Sequence, residues 1–318
     1  MNAIVSTEQH LIAWLLETGD PPTRFRIMTE LLGRPAEDPE VRLAKVGLLA
    51  HAGVAELLAT QELAGFWVQR NYYTPKHYST FWVLSILADL GLTREVEAVR
   101  RGVDFMFAQQ RPDGGFCRRN RRPGKGLVWE EETEPCTQAR IVRFLIQFGY
   151  GGDERTRQAL AWLLARQRTD GMWLCGYGGG YGRPRGCLRA TLDFLRAAVL
   201  DAETAAHPAT QRAAAVIAEL LLQPRMGRYH VPDEWTVLVF PYFGYGIIPA
   251  LDALGRIGYT PAHAKVAAAV DYLLSRRLPD GGWPLDERPY KSPLDFGQSG
   301  EPNQWVTLEA LLALKRLN

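Results

Sequence analysis

The chain has 318 residues, of which 47% are hydrophobic and 23% are charged, and its formal net charge is +2. These values are ordinary for a globular protein, and the small net charge argues against a general nucleic-acid-binding protein. No run of about 18 apolar residues could span a bilayer, and residues 1–10 lack the cationic and then apolar pattern of a signal peptide. We therefore predict a cytoplasmic protein whose four cysteines form no stable disulfides.

Periodic apolar residues predict pairs of helices along the chain. The first pair covers residues 21–33 and 39–61, and each helix opens with a proline that suits a first helical turn. After this pair, strongly apolar segments alternate with amphipathic ones, which we expect to be inner and outer helices respectively. The predicted inner helices are residues 79–90, 136–148, 187–200, 243–254 and 305–317. Outer helices are predicted at residues 96–109, 154–166 and 208–222.

A short turn sequence recurs between these helices. Its three clearest copies are residues 109–116, 167–173 and 277–283, and weaker copies lie at 61–67 and 223–229. Each clear copy contains Asp-Gly and closes on an aromatic residue, so it should end one helix and turn the chain. The closing aromatics are 49, 57, 56 and 54 residues apart: Trp67, Phe116, Trp173, Tyr229 and Trp283. Such a period indicates repeated helical hairpins.

Repeated hairpins can stack as an open solenoid or close into a ring. Closure is favoured because an open superhelix would leave these long, apolar inner helices exposed to water. We therefore predict an all-α fold, a single (α/α)6 barrel (toroid) with parallel inner helices. No linker-like segment divides the chain, so residues 1–318 should form one domain, with residues 1–20 as an N-terminal extension packed on the barrel.

The turn copies resemble the repeats of the prenyltransferase and squalene cyclase superfamily, whose fold is an α/α toroid. The resemblance extends over nearly the whole chain from about Pro21. It implies a small apolar, isoprenoid-like ligand in a central cavity, and a peripheral contact with membranes where such a ligand partitions. The implied enzyme is an isoprenoid cyclase, of the isomerase or lyase class, or a prenyltransferase. A non-catalytic barrel that binds a hydrophobic ligand is the alternative, because this fold hosts unrelated chemistries.

Acidic residues precede the second of the predicted inner helices. Class II terpene cyclases carry Asp-x-Asp-Asp-Thr at the start of an inner helix, and the resemblance puts Glu134 in the place of the proton donor and Glu132 in the supporting place. Pro135 stands where the last Asp would be. As a donor, Glu134 should be partly desolvated near aromatic side chains. The structural alternative is that the acids favour the helix dipole and Pro135 the first helical turn.

Four cysteines occupy repeated positions around the inner helices. Cys117 and Cys175 follow the aromatic that closes a turn copy, whereas Cys136 and Cys187 open the next inner helix. In neighbouring hairpins these positions fall at one end of a barrel, where four thiolates suit tetrahedral zinc or an iron–sulfur cluster. No Cys-x-x-Cys pair is present, and free cysteines also pack as small apolar residues. A structural zinc site and buried thiols are both compatible with this pattern.

Basic and aromatic residues lie near the predicted starts of the inner helices. Arginines in two corresponding loops could hold a diphosphate at the positive helix ends, or form a solvated loop that its own acids neutralise. Aromatic rings there could shield a cation or accept an apolar chain. The glycine-rich residues 176–182 lack the strand and helix of a nucleotide loop, so no nucleotide cofactor is predicted. The predicted ligand-binding residues are Arg118, Arg119, Arg183, Arg185, His77, Trp82, Tyr177 and Tyr242.

Overall fold

A computed structural model describes residues 2–116, 119–121, 127–129, 133–174, 186–223, 235–287 and 291–318. These ranges are mostly helical, and the two strands found in them are β1 (Arg119–Arg121) and β2 (Leu127–Trp129), which pair antiparallel. The predicted all-α class is confirmed, and the helices are consistent with an α/α toroid. No helix in these ranges combines the length and the hydrophobicity needed to cross a membrane.

The chain divides into two compact units. The first unit contains α1 (Asn2–Thr18), α2 (Pro21–Arg26), α3 (Pro39–Ala50), α4 (Ala52–Ala59), α12 (Ile247–Gly255), α13 (Ala264–Ser275) and α14 (Gln304–Leu317). The second unit contains α5 (Thr80–Asp89), α6 (Glu97–Phe107), α7 (Pro135–Leu145), α8 (Glu154–Leu164), α9 (Leu188–Ala198), α10 (Ala202–Ala206) and α11 (Pro208–Leu220). One π-helical turn follows α2 and another follows α7. The arrangement as a single domain stays a prediction.

The repeated turn has the local structure that its sequence predicts. In the copy before β1, the Asp113 carboxylate accepts the backbone N–H of Gly115 at 3.1 Å, and Gly114 has a φ of 87°. A Cβ atom at Gly114 would lie 2.4 Å from the carbonyl oxygen of Gln158 on α8. Glycine is therefore required here both for its backbone conformation and for its close approach to the next hairpin. The other clear copies repeat the aspartate contact, from Asp170 to Met172 and from Asp280 to Gly282.

A glutamine at the start of each turn copy in the second unit attaches the turn to the next hairpin. The side-chain amide of Gln110 donates to the carbonyl of the turn residue Gly114 at 3.1 Å and to that of Arg155, the second residue of α8, at 2.7 Å. Gln61 and Gln167 make the equivalent pair of hydrogen bonds. The repeat therefore sets the position of each outer helix relative to the preceding turn.

The first and last helical segments of the chain contact each other within the first unit. Gln304, at the start of α14, hydrogen-bonds the backbone N–H and the carboxylate of Asp20 at 2.7 and 3.0 Å. At the other end of α14, the Lys315 ammonium donates to the Leu31 carbonyl at 2.7 Å. Helix α1 contacts α2 and α14 and buries Leu11 and Leu15. These contacts join the two ends of the chain within the first unit.

Two predicted helices have different limits in the structure. The segment 39–61 forms two helices because the chain turns at His51, whose ψ is 125°. The inner helix predicted from residue 243 begins at Ile247, after Gly246 in an extended conformation. The two glycines at 244 and 246 explain this delay, because glycine opposes helix initiation. The other inner helices agree with prediction to within a few residues.

Candidate ligand-binding site on the inner helices α5, α7 and α9

Glu134 lies at the start of α7 and is buried. It occupies the N-cap position in an extended conformation, followed by Pro135 in the first turn. Only 7% of the residue is exposed. Its Oε2 accepts a hydrogen bond from the Thr137 hydroxyl at 3.3 Å, and the Sγ of Cys136 lies 4.0 Å from the same oxygen. The side chains of Thr137 and Cys136 therefore contact the Glu134 carboxyl, which is shielded from bulk water.

His77, in the loop that enters α5, contacts Trp82 in the first turn of that helix. The His77 ring packs edge-on against Trp82, with 4.8 Å between ring centroids, and the backbone of His77 has a φ of 70°. The indole N–H of Trp82 donates to the Tyr73 carbonyl at 2.9 Å, and Phe81 packs against Tyr73 and Trp82. These contacts hold the His77 imidazole against aromatic side chains at the start of α5.

The surroundings of His77 are electropositive. Burial, followed by the positive charge of Lys76, lowers the pKa of His77. Arg189 on α9 and Arg140 on α7 act in the same direction, and together these causes bring the pKa to about 4. The imidazole is therefore neutral near pH 7, and the region around it favours negative over positive groups.

A layer of buried charges lies between α5, α7 and α9. Arg140 of α7 donates to both carboxylate oxygens of Asp193 on α9, at 3.0 and 3.2 Å. One turn further along α7, Arg143 makes the same contact with Asp89 of α5, at 2.8 and 3.2 Å. Arg196 of α9 interacts electrostatically with both pairs. Sequence reasoning missed these residues, although charged residues spaced by three on an apolar helix were a visible signal.

The paired residues Arg140 and Asp193 occupy equivalent positions in their helices. Each lies five residues after the first residue of its helix, Pro135 in α7 and Leu188 in α9. Equal depth is what parallel, aligned neighbours require, so this contact fits the predicted direction of the inner helices. The hairpin repeat therefore explains why Arg140 and Asp193 lie at the same depth in neighbouring inner helices.

Two of the four cysteines are described, and both lie at the starts of inner helices. Cys136 is in the first turn of α7, and Cys187 caps α9 by accepting the backbone N–H of Ala190 at 3.5 Å. Among the described residues, no group of three or more His, Cys, Asp or Glu side chains could hold a metal ion. Cys117 and Cys175 lie outside the described residues, so the predicted four-cysteine zinc site stays a prediction.

The other predicted site residues are distributed as follows. Tyr242 is buried in the first unit, between a cis Phe240–Pro241 bond and α12. The backbone of Arg119 pairs with that of Trp129 in the β1–β2 ribbon. The remaining residues lie outside the described part of the chain: Glu132, Arg118, Arg183, Arg185 and Tyr177.

Comparison with known proteins confirms the predicted resemblance. Residues 41–190 match the family of the squalene-hopene cyclase C-terminal domain. This range includes every predicted site residue except Tyr242. A stretch of 99 residues is 30% identical to lanosterol synthase erg7A of Aspergillus fumigatus, and it covers 30% of this chain and 13% of that protein. The chain thus aligns with only a small part of this much longer relative.

Solved structures with a similar arrangement have low sequence identity. A protein from Actinoplanes is 17% identical, with a TM-score of 0.34, over 83% of this chain and 97% of that one. The type II terpene cyclase MstE from Scytonema, without ligand, is 17% identical, with a TM-score of 0.31, over 84% of this chain and 97% of that one. A variant of MstE in complex with geranylgeranyl dihydroxybenzoate is 16% identical, with a TM-score of 0.32, over 86% and 99%.

Proposed function

Because the chain is similar to the squalene cyclase superfamily, we propose that it binds a linear isoprenoid on α5, α7 and α9 and protonates it through Glu134. The observation that carries this proposal is the position of Glu134. It is a buried carboxyl at the first residues of an inner helix, inside the range that matches the cyclase family. The name of the relative, lanosterol synthase, supports a substrate of the isoprenoid class.

The proposed reaction begins with transfer of a proton from the Glu134 carboxylic acid to a substrate double bond. The carboxyl O–H bond breaks, a C–H bond forms at one alkene carbon, and the other carbon becomes a carbocation. Burial helps the carboxyl to hold a proton before the transfer, because a desolvated site disfavours the charged form. The Thr137 hydroxyl donates to Oε2 and stabilises the carboxylate that remains. The carbocation finally loses a proton to the Glu134 carboxylate, which restores the carboxylic acid and completes the cycle.

The aromatic cluster is suited to the intermediate. Ring faces stabilise a nearby cation by about 0.5–2 kcal/mol each. Phe81 and Trp82, in the first turn of α5, supply such rings. The positive field around His77 opposes a carbocation, so the cation should form on the side of the cluster away from Arg140 and Arg189.

The alternative is a barrel that binds a hydrophobic ligand without chemistry. It is favoured by Pro135, which occupies the first turn of α7 where the cyclase motif of the family has its last acid. In this alternative the proposed four-cysteine zinc site would be structural, with four sulfur ligands and no open coordination position.

The test is conversion of linear isoprenoids by wild-type protein and by Glu134→Gln. Farnesol, squalene and oxidosqualene are incubated with the protein, and the extracts are analysed by gas chromatography with mass spectrometry. We expect cyclic products from the wild type and a loss of at least about 100-fold in rate for E134Q, which is the usual contribution of a general acid. The melting temperature should change little.

Glu154→Gln is the matched control, because Glu154 is an exposed acid at the first residue of α8. It should retain the wild-type rate. Equal rates for E134Q and the wild type would exclude Glu134 as the acid. Binding of the same isoprenoids without any product would instead support the non-catalytic alternative.

A further inference from the structure

The buried charges between α5, α7 and α9 do not balance. Among the described residues, three arginines, Arg140, Arg143 and Arg196, share the layer with two acids, Asp89 and Asp193. The two ion pairs are almost inaccessible to water, since their side chains are between 1% and 9% exposed. Each ion pair contains one positive and one negative charge and is neutral overall. Arg196 therefore adds one positive charge that neither pair compensates. Arg196 is itself partly buried, and an uncompensated charge is costly in such a position unless a partner of opposite sign is supplied.

Arg196 has the features of a group that lacks its partner. Within the described residues, its buried Nη1 atom has no hydrogen-bond partner. Burial, and after it the repulsion of Arg143, lowers the pKa of Arg196 to about 10. Asp89 and Asp193 act in the opposite direction, but each is already engaged by another arginine. The guanidinium therefore sits where a further negative charge would be stabilised.

We propose that Arg196 binds the carboxylate of an acidic, isoprenoid-type ligand, so that this ligand closes the charge balance between α7 and α9. The inference deepens the function proposed above and rests on it for the apolar part of the ligand. A carboxylate carries one negative charge, which matches the excess of one. A diphosphate carries more and would leave the layer negative. The planar guanidinium also presents donors in the geometry that a carboxylate accepts.

The position of Arg196 agrees with a head group bound apart from the proton donor. Arg196 lies in the last turn of α9 and interacts with Arg143, nine residues after Glu134 along α7. At 1.5 Å per residue, the two levels are about 13 Å apart along the helix axis. An extended chain can thus place its carboxylate at Arg196 and its double bonds toward Glu134 and the aromatic cluster.

The experiment compares two ligands that differ in charge and share one apolar chain, farnesoic acid and farnesol. Binding is measured by calorimetry on the wild type, on Arg196→Met, and on the control Arg157→Met at an exposed position of α8. We expect the wild type and R157M to prefer the acid by about tenfold or more, the usual effect of a hydrogen bond to a charged group. R196M should bind both ligands equally and keep its affinity for farnesol.

A second readout separates this site from a salt bridge within the protein. Without ligand, R196M should melt at a higher temperature than the wild type, because it removes a partly buried charge whose Nη1 has no hydrogen-bond partner in the described part of the chain. A lower melting temperature would show that the guanidinium is already paired, and would overturn the inference. An unchanged preference for the acid in R196M, or tighter binding of farnesyl diphosphate than of farnesoic acid, would overturn it as well.

Sodium acetate distinguishes failure of the inference from failure of the proposed function. If neither farnesyl ligand binds, the isoprenoid function is contradicted. Thermal stabilisation by acetate that is present in the wild type and R157M but absent in R196M would still support the carboxylate site. Equal stabilisation of all three proteins by acetate would contradict it.

Discussion

The two units are built from the same hairpin repeat, but the ion pairs of their inner helices differ in how deeply they are buried. In the first unit, the ion pairs that involve α12 and α14 are less deeply buried: Asp252 and Arg316 are each about a quarter exposed, and the Glu309 side chain, which pairs with Arg26, is 18% exposed. In the second unit, the ion pairs of α7 lie within the layer and are almost fully buried. A fold that can be built with apolar inner helices does not need buried ion pairs, which stabilise less than apolar packing. The nearly complete burial of both pairs in the second unit is therefore better explained by a role in the proposed site than by stability.

The largest expected effect comes from breaking one of the buried pairs. Arg140→Met leaves Asp193 buried without its arginine, and should lower the free energy of unfolding by about 3–5 kcal/mol. Arg316→Met in the first unit should cost less than about 1 kcal/mol, because Asp252 is partly solvated and keeps Arg256 at 2.9 Å. Urea unfolding of both variants measures the difference.

The double variant Arg140→Met with Asp193→Leu sharpens this test. It replaces both charges by apolar groups, so most of the stability lost in R140M should return. Equal costs for R140M and R316M would contradict the contrast between the two interiors.

A smaller effect is expected at two glycines with positive φ, one in a repeated turn and one in a turn outside the repeat. Gly114→Ala in the second unit forces a Cβ into a positive-φ position 2.4 Å from the Gln158 carbonyl, and should cost about 2–4 kcal/mol. Gly258→Ala in the first unit has the same backbone conformation with nothing within 4 Å, so strain alone should cost about 1–2 kcal/mol. Thermal unfolding compares them, and equal losses would show that contact with α8 contributes nothing.

The parts of the fold that depend on local sequence were predictable. The Asp-Gly turns and the limits of α5, α9 and α14 follow from residues next to each other in the chain, and the structure agrees with them. The attachment of each turn by Gln61, Gln110 and Gln167 was not predicted. A glutamine carries no local signal that its amide reaches a carbonyl 37 to 45 residues away.

The pairing of the buried charges in the candidate site was missed for the same reason, although the charged residues themselves were visible in the sequence. The partners in the two ion pairs are 53 and 54 residues apart, which is one repeat. A single sequence shows an arginine on an apolar helix, but not that the neighbouring inner helix offers an aspartate at the same depth. Glu134, by contrast, was found because it lies beside the helix start that the repeat defines. Its proposed role rests on the family resemblance and not on spacing.

The smallest expected effect is the pH dependence of stability caused by His77. Its pKa in the folded protein is about 4, whereas a histidine in an unfolded chain titrates near 6.5. Between these values the unfolded chain binds more protons, so stability should fall as the pH is lowered from about 6.5 to 4 and should not change above that range. Because His77 is half-buried, solvent screening reduces this loss to about 1 kcal/mol.

His77→Gln should flatten the profile by that amount relative to the wild type, whereas His10→Gln, at an exposed position of α1 in the first unit, should leave it unchanged. The measurement is the free energy of unfolding by urea at a series of pH values, taken as the difference from the wild type so that titrating carboxylates cancel. Parallel profiles for H77Q and the wild type would show that His77 does not sense the positive field of the second unit.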